Sequence, residues 1–560
     1  MRLRQFLHMD LRWRTFIVTF SIACCTFFYM FQITSRKSRV IVEGKFTKTE
    51  RWFHNNDAGE SFDLQERQHI RNAMSDVEQI QAMVRHQLIK IYQESPKAQP
   101  LVIKMIKQFF PLKSALTAEI EELKELTKQE DGELFKKLRK TVERRIDLNQ
   151  NPAKCSTAKK LYCNVQSACG FGCIIHHYTI CLFISLGTGR VMMSNMSNLA
   201  YPNMDKIFLP LSRTCLTAEG NVDDYPEWES PNDEHPSSSD APIVKVSIVY
   251  HRDRKTPFAP WTVPKDLIPS LERIHGNPML WWIGQLQSYL MRPQKWLSDS
   301  IKEAKGEEFQ HPIVGVHVRR SDKISEASYM ANDAYMTAVS DWYDTYEMRH
   351  PNETVVRRIF LATDDILIGS QLKITYPKYR IVQIQKNAVV ALAKRFSGSG
   401  LEGILQDVFL MAECDYFVGT MSSNVGRLVH ELMQTRDYDT SNAAITIDHS
   451  FRYYGQFPER HLVLNDHHAE NPCPPEFEPL PPNQFPKYVR ERLQLENILK
   501  QGCEVELRKG DIIDAWPELN NNYMRGGVNI RSGRWGLYPK FKVKQIIEPA
   551  PYPVIENTSL

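Results

Sequence analysis

The stretch richest in chemistry is His317-Val-Arg-Arg-Ser-Asp-Lys323, which begins in the last two residues of the apolar run Pro312–Val318. In an open α/β sheet, ligands sit outside the carboxyl ends of strands, which is where this stretch falls. Arg319 and Arg320 are costly to bury there without an anion, and a guanidinium presents a planar fork that matches phosphate oxygens. The pair therefore reads as a holder of a diphosphate. The competing reading is an arginine–aspartate knot using Asp322. Alternation along the chain aims the two guanidiniums differently, which gives Arg319 to the ligand and leaves Arg320 open. Glu326 follows Lys323 by three residues and Tyr335 comes later. A carboxylate beside a lysine near a diphosphate can act as general base, although a surface Glu–Lys neighbour pair is the plainer reading.

A second stretch opens with Leu361-Ala-Thr-Asp-Asp365. Asp364 and Asp365 could hold a divalent cation, cap the next helix or hold the arginines. The pattern is not D-x-D, which argues against metal. Asp407 falls on a helical pattern, and Thr420-Met-Ser-Ser-Asn424 follows a strand and leads into a helix. Small hydroxyl residues at a helix N-terminus make an anion site or a simple cap. No nucleophile–His–Asp arrangement, Walker loop or dinucleotide glycine fingerprint occurs. Gly170-Phe-Gly172 reads only as a tight turn among cysteines.

The elements that must position these residues read as α/β. Strand-like runs recur at 243–250, 312–318, 358–362, 416–419 and 443–448, with helical patterns at 333–346 and 403–414 among them. That alternation predicts a doubly wound sheet across 155–470. The acidic, Pro- and Ser-rich stretch 223–240 reads as an exposed loop. Before the sheet, 61–150 is helical: one helix over about Asp63–Glu94, broken near Pro96 and Pro100, then Leu116, Ile120, Leu123 and Leu126 at helical spacing. Helices of this kind cannot bury their stripe alone, so a helical pair, a coiled-coil dimer or a plain spacer is expected. Seven prolines in 472–486 make an extended connector. Beyond a helical stretch to about Lys500, the alternating Glu504–Leu507, the turn Lys509-Gly-Asp511, and strands at 512–516 and 533–539 suggest a small barrel in the order of an SH3 domain.

With 560 residues the chain has room for three to four domains at about 150 residues each. Its 70 basic and 66 acidic residues give a net charge of +4, which provides no electrostatic footprint for nucleic acid. Residues 15–34 carry no charge and are long enough to cross a bilayer. No convincing cleavage site comes after them, so an uncleaved signal anchor is expected after a cytosolic tail at 1–14, with a polar stem at 35–60. Basic residues flank the span almost equally. Sequons at Asn195, Asn352 and Asn557 and most of the cysteines lie beyond it, which places the body in an oxidising lumen. Of the 11 cysteines, six fall between 155 and 215 and allow 15 pairings. A zinc reading of Cys169, Cys173 and His176-His177 has looser spacing than zinc sites prefer, so disulfides are expected. Cys414, Cys473 and Cys503 remain, so at least one of them is expected to stay unpaired.

The 317–323 stretch with Glu326 and Tyr335, Ala362–Asp365, Asp407 through Ser422-Ser-Asn424, the six cysteines, Gly276–Trp282, the helical segment and the SH3-like tail together resemble the α-1,6-fucosyltransferases that modify the N-glycan core. The resemblance covers nearly everything after the span. It implies a Rossmann-like, GT-B-like catalytic core at 155–490, a coiled-coil segment at 61–150 and an SH3-like domain at 494–550. It implies inverting transfer of L-fucose from GDP-β-L-fucose to O6 of the innermost GlcNAc on N-glycoproteins, without a metal or other cofactor. It implies a single-pass type II Golgi membrane protein, homodimeric through the helices. By motif, Arg319 holds the donor diphosphate with support from Arg320. His317 and Asp407 face guanine, and Ser422, Ser423 and Asn424 form the phosphate turn. Tyr201 stacks on the base, Asp364 and Asp365 shape the loop, and Asp322 and Tyr335 line the donor site. Glu326 is the base, with Lys323 beside it. The implied disulfides are Cys155–Cys215, Cys163–Cys181 and Cys169–Cys173. Two departures stand out. Gly419 and Gly426 occupy positions where the family often carries another disulfide, and the Lys323–Glu326 spacing is one residue short.

A different class of function, a non-catalytic luminal adaptor with coiled-coil and SH3 modules on a decayed sugar-nucleotide fold, would not need Arg319, Lys323, Glu326 and Asp407 together. A GDP-fucose enzyme acting on protein Ser or Thr would need neither the helical segment nor the tail.

Overall fold

The computed structural model describes residues 56–553 except 127, 166–168, 197–198, 217–219, 228–240, 249–261, 322, 324–328, 449–458, 475–501, 522–523 and 548. The expected tail, membrane span and most of the stem therefore lie outside the described residues. So do Asp322, Glu326, most of the proline connector, the helix to Lys500 and the Asn557 sequon. The chain divides into two units, Met1–Glu66 and Arg67–Leu560. The first contributes only the start of one helix to the described residues; the sheets and the site belong to the second.

The helical segment comprises α1 (Asn56–Glu94), α2 (Gln99–Glu125) and α3 (Lys128–Gln150). The break after α1 falls where Pro96 and Pro100 place it, and Pro100 occupies the first turn of α2, where its missing N–H costs nothing. Met74 and Val77 of α1 bury against Ile120 of α2, with Leu116 packed alongside. Half of the stripe thus finds a partner within the chain, whereas Leu123 and Leu126 are exposed.

Next come β1 (Lys160–Val165), α4 (Phe171–Thr188), β2 (Val191–Ser194) and β3 (Ile243–Ile248). They build a three-stranded parallel sheet in the order β2-β1-β3. α4 is long and apolar enough to cross a membrane, but it is a core helix: every residue from Phe171 to Leu186 is buried. α5 (Ile268–Ile274), α6 (Pro278–Leu290) and α7 (Lys295–Lys305) come after it.

The second sheet contains β4 (Ile313–Val318), followed by α8 (Asn332–Arg349), β5 (Arg358–Thr363), α9 (Ile368–Thr375), β6 (Arg380–Val382), α10 (Gln385–Ala393), α11 (Gly398–Glu413), β7 (Tyr416–Gly419), α12 (Asn424–Met433) and β8 (Ala444–Thr446). Its five strands are parallel in the order β6-β5-β4-β7-β8. β4 is buried at all six residues, as expected of a central parallel strand covered by helices on both faces. Every strand expected from the apolar runs is present, but not in the single sheet expected across 155–470: the run that opens at Ile243 supplies β3 of the three-stranded sheet, and the other four belong to the five-stranded one. β1, β2 and β6, which are short or mix polar residues, have no counterpart among those runs.

The tail is a five-stranded antiparallel sheet of β9 (Glu459–Val463), β10 (Ile512–Asn521), β11 (Met524–Asn529), β12 (Trp535–Pro539) and β13 (Val543–Gln545), ordered β12-β11-β10-β9-β13. It departs from expectation in two places. The sheet takes its β9 from well before residue 494, pairing Leu462 with Ile512. Glu504–Leu507 makes isolated bridges to His467, Pro472 and Leu537 instead of a strand.

Four disulfides occur among the described residues: Cys155–Cys215, Cys163–Cys181, Cys169–Cys173 and Cys473–Cys503. Cys414 is free and buried. The Sγ atoms of Cys169 and Cys173 and a ring nitrogen of His177 lie within 4.8 Å of one another, but the sulfur–sulfur bond leaves no thiolate for zinc. Cys473–Cys503 closes a loop with a sequence separation of 30, so replacing both by Ser should cost roughly 3–4 kcal/mol. Thermal melting measures this. An unchanged melting temperature would mean that the Cys473–Glu504 backbone pairing alone holds the tail.

Candidate active site

The strand order decides where side chains converge. From β4 the chain steps outward to β5 and β6, then returns to place β7 and β8 on the other side of β4. The connections thus diverge between β4 and β7, and the crevice beyond their carboxyl ends is the place where doubly wound sheets bind ligands. His317 lies near the end of β4, with Arg319 and Arg320 just past it. Asp364 and Asp365 follow β5, and Thr420–Ser423 follow β7.

Arg319 Nη1 pairs with Asp364 and reaches Ser321 Oγ at 2.9 Å and the Arg320 carbonyl at 3.1 Å. Asp364 also accepts the Arg320 backbone N–H at 2.7 Å and the Ser321 hydroxyl at 2.6 Å. Its partner role thus resolves one of the readings left open for the two carboxylates. Asp365 does not cap α9, whose N-cap is Leu367; its Oδ1 accepts the Leu367 N–H at 2.9 Å and closes the turn that leads into that helix. Arg320 turns away to Asn332 Oδ1 at 3.1 Å and lies over the Tyr329 ring at 5.0 Å. The two guanidiniums do diverge. Ser321 carries a φ of 44°, an uncommon conformation for a residue with a Cβ, and its carbonyl is held by the Tyr329 hydroxyl at 2.7 Å.

Lys323 Nζ donates to the Ser422 carbonyl at 3.0 Å and so ties the first stretch to the turn after β7. In that turn Asp448 accepts the Met421 N–H at 2.8 Å and the Ser422 N–H at 3.3 Å. Arg427 Nε donates to the Met421 carbonyl at 2.7 Å, and its Nη1 reaches Asn424 Oδ1 at 3.2 Å. Ser423 is the N-cap of α12, yet its hydroxyl makes no capping bond. At Gly426 a Cβ would meet the Thr420 carbonyl oxygen at 2.5 Å, so the turn closes against a bare backbone.

His317 is buried, and among the described residues its Nδ1 has no hydrogen-bond partner. Burial, reinforced by Arg319, Arg395 and Lys323 and opposed by Asp448, pulls its pKa down to about 3, so the ring is neutral near pH 7. Burial pushes Asp407 on α11 up to about 7, against the pull of Asn387 Nδ2, which donates to its Oδ1 at 2.9 Å. Tyr335 on α8 is buried, its hydroxyl also lacks a hydrogen-bond partner among the described residues, and burial raises its pKa.

Tyr201 departs from its expected role. It is fully buried, its ring packs on Phe171 and Phe396, and its hydroxyl accepts the Phe171 N–H at 3.3 Å. A ring enclosed in this way offers no face to a base; the half-exposed Phe396 is the aromatic that meets solvent there. Two site residues escaped the sequence reading. Arg395 acts electrostatically on both His317 and Tyr201, and its Nη2 lies 3.3 Å from where a Cβ on Gly170 would be. Asp448 holds the turn. Nothing marks either beyond a basic pair in a loop and an aspartate ending a strand.

The arrangement gathers Arg319, Lys323 and Arg395 around a neutral imidazole, beside a hydroxyl-rich turn at a helix N-terminus. That combination suits a ligand with a compact double negative charge.

The profile described as alpha-(1,6)-fucosyltransferase N- and catalytic domains matches residues 32–453. An alpha-(1,6)-fucosyltransferase of Drosophila melanogaster is 32% identical over 421 residues, covering 74% of this chain and 61% of the relative, so the match spans less than two thirds of that protein. One of Caenorhabditis elegans is 29% identical over 439 residues, covering 76% of this chain and 71% of the relative. Among solved structures, the fucosyltransferase NodZ from Bradyrhizobium aligns with a TM-score of 0.29 at 14% identity, over 49% of this chain and 93% of that one.

Proposed function

The chain belongs to the alpha-(1,6)-fucosyltransferase family, and on that premise we propose that it transfers L-fucose from GDP-β-L-fucose to O6 of the innermost GlcNAc of N-glycans, inverting the anomeric carbon. The observation that carries this reading is the Lys323 bond to the 420–424 turn after β7, which ties that turn to the loop after β4 that carries the Arg319–Asp364 pair.

The bond from fucose C1 to the diphosphate oxygen breaks as the bond from C1 to the acceptor O6 forms on the opposite face. GDP departs with the bonding electron pair, and the O6 proton passes to a base. Arg319 takes the diphosphate, with its guanidinium set by Asp364, and Arg320 steadies the same loop. The turn at Ser422, Ser423 and Asn424 receives phosphate oxygens. Such fixed donors stabilise the charge growing on the leaving group and need no metal for the purpose. Asp407 accepts the N1–H and amino donors of guanine, and the neutral His317 completes the base contact. Glu326 is the base, beside Lys323. Asp322, Tyr335 and Asp365 shape the pocket around these groups.

The same reading makes the protein a single-pass type II Golgi enzyme with a luminal body, supported by four disulfides and the uncharged 15–34 stretch. It makes the antiparallel tail an SH3-like module. It also makes the chain a homodimer through α1 and α2, supported by the exposed Ile89, Tyr92, Leu101, Ile103 and Ile106 around the α1–α2 junction.

Incubation with GDP-fucose and a chitobiose-core glycopeptide bearing terminal GlcNAc, with EDTA present, tests the reaction. A single deoxyhexose 1,6-linked to the innermost GlcNAc is expected. Fucose on another sugar, or product only after Mn²⁺ is restored, would contradict the acceptor or the metal independence.

A further inference from the structure

Resting on the donor site above, one feature of the core bears on how that site is held. α12, whose N-terminus forms the phosphate turn, packs against α4 and α6, and Gly426–Met433 are all buried. Two glycines fix its height. At Gly172 of α4 a Cβ would meet the Asn424 carbonyl carbon at 2.7 Å and Val425 N at 2.9 Å. At Gly284 of α6 a Cβ would meet the Glu431 carbonyl oxygen at 2.3 Å. One helix is thus locked by backbone contact at both ends.

Between these contacts lies a buried polar cluster. Glu431 is fully buried, and its Oε2 bonds His176 Nε2 of α4 at 2.8 Å and accepts from Gln287 Nε2 of α6 at 2.6 Å. Among the described residues its Oε1 has no hydrogen-bond partner. The spacing is consistent: Gly172 and His176 are four apart, and Asn424 and Glu431 are seven apart, so each pair lies on one helical face. The face of α4 that touches the phosphate turn is the one that holds the carboxylate two turns further along α12. An isolated buried carboxylate is expensive, and apolar side chains would fill the space at lower cost. What the cluster adds is a fixed translation and rotation of α12.

We propose that His176, Glu431 and Gln287 are positioning residues for donor binding: they set α12 so that its N-terminal turn meets the diphosphate. They touch no reacting atom and act only through the helix. Binding geometry tolerates displacements of only about 0.5 Å, so a small slip of α12 is felt at the turn.

The test uses Gln287→Leu, which removes one donor and keeps the volume, and Glu431→Gln, whose carbonyl can keep both bonds. For wild type and both variants, GDP affinity is measured by titration calorimetry, KM for GDP-fucose and for the glycopeptide by initial rates, and folding by thermal melting. Gln287→Leu is expected to raise the GDP Kd and the KM for GDP-fucose about tenfold, with kcat and the acceptor KM within about twofold. Glu431→Gln should stay within about threefold of wild type in both. A merely structural role would lower the active fraction, seen as a reduced apparent kcat with donor KM and GDP Kd unchanged. That result, or a folded Gln287→Leu with unaltered GDP affinity, overturns the proposal and leaves the transferase reading intact. Wild-type protein that does not bind GDP overturns both.

Discussion

Arg319→Ala should lower kcat/KM by about three orders of magnitude and weaken GDP binding in parallel, because in the proposed reaction it removes a fixed donor from the diphosphate as charge develops there. Arg319→Lys should recover little. An ammonium keeps the charge but not the planar fork, and it cannot span Asp364, Ser321 Oγ and the ligand at once. The Ala variant also leaves the largely buried Asp364 carboxylate without its guanidinium, so its melting temperature should fall. Adding Asp364→Asn to Arg319→Ala should restore part of the melting temperature and none of the turnover. That split separates the ion pair's structural role from its role toward the donor. Steady-state kinetics, GDP titration and melting curves on the three variants decide it. Unchanged GDP affinity in Arg319→Ala would put the diphosphate elsewhere.

Asp407→Asn should move binding and stability in opposite directions. Guanine offers two donors to a carboxylate, whereas an amide opposes one of them with its own N–H, so GDP affinity should drop about a hundredfold. Stability follows the raised pKa. The folded state holds the Asp407 proton up to about pH 7, far above the ordinary carboxylate value. The contribution of this group is therefore most favourable at low pH and is lost as pH rises through about 7, when the folded protein must bury a charge. Asn carries no such charge, so the variant should melt higher than wild type at about pH 8, with the difference vanishing near pH 4. For the same reason wild-type donor affinity should weaken as pH falls below about 7, since the proposed guanine contact needs the ionised form. Melting curves and GDP titrations at several pH values measure both trends. A variant that melts lower than wild type under alkaline conditions would show that the charge is compensated.

Much of this site is legible in the sequence because strand ends carry it. The apolar runs before His317, Asp364 and Thr420 each read as buried strands, and buried parallel strands announce themselves by continuous hydrophobicity. The residues just past such a run are candidates for the ligand crevice on pattern alone. The helical segment is legible for a similar reason: Pro96 and Pro100 mark the break, and Leu116 and Ile120 mark the stripe. Position in space is not legible. Asp448 reaches the turn only because β8 lies beside β7. Arg395 acts on His317 only because the α10–α11 loop folds back toward the end of β4. Gly172 reads as part of a turn, yet it lies in the first turn of a helix, and its purpose appears only when Asn424 is seen against it. Tyr201 fails for the opposite reason, since an aromatic residue in a loop reads as available and this one is enclosed. β9 pairs with β10 from far upstream, and no local pattern marks a strand that opens on charged Glu459 and Arg460.

A crystal structure of the protein with GDP tests most directly whether the nucleotide sits where β4 and β7 part. The expected result has the diphosphate on the Arg319 guanidinium and the Ser422–Asn424 turn, with the guanine edge on Asp407. GDP bound away from both Arg319 and Asp407 would contradict the assignment of the site and the roles built on it.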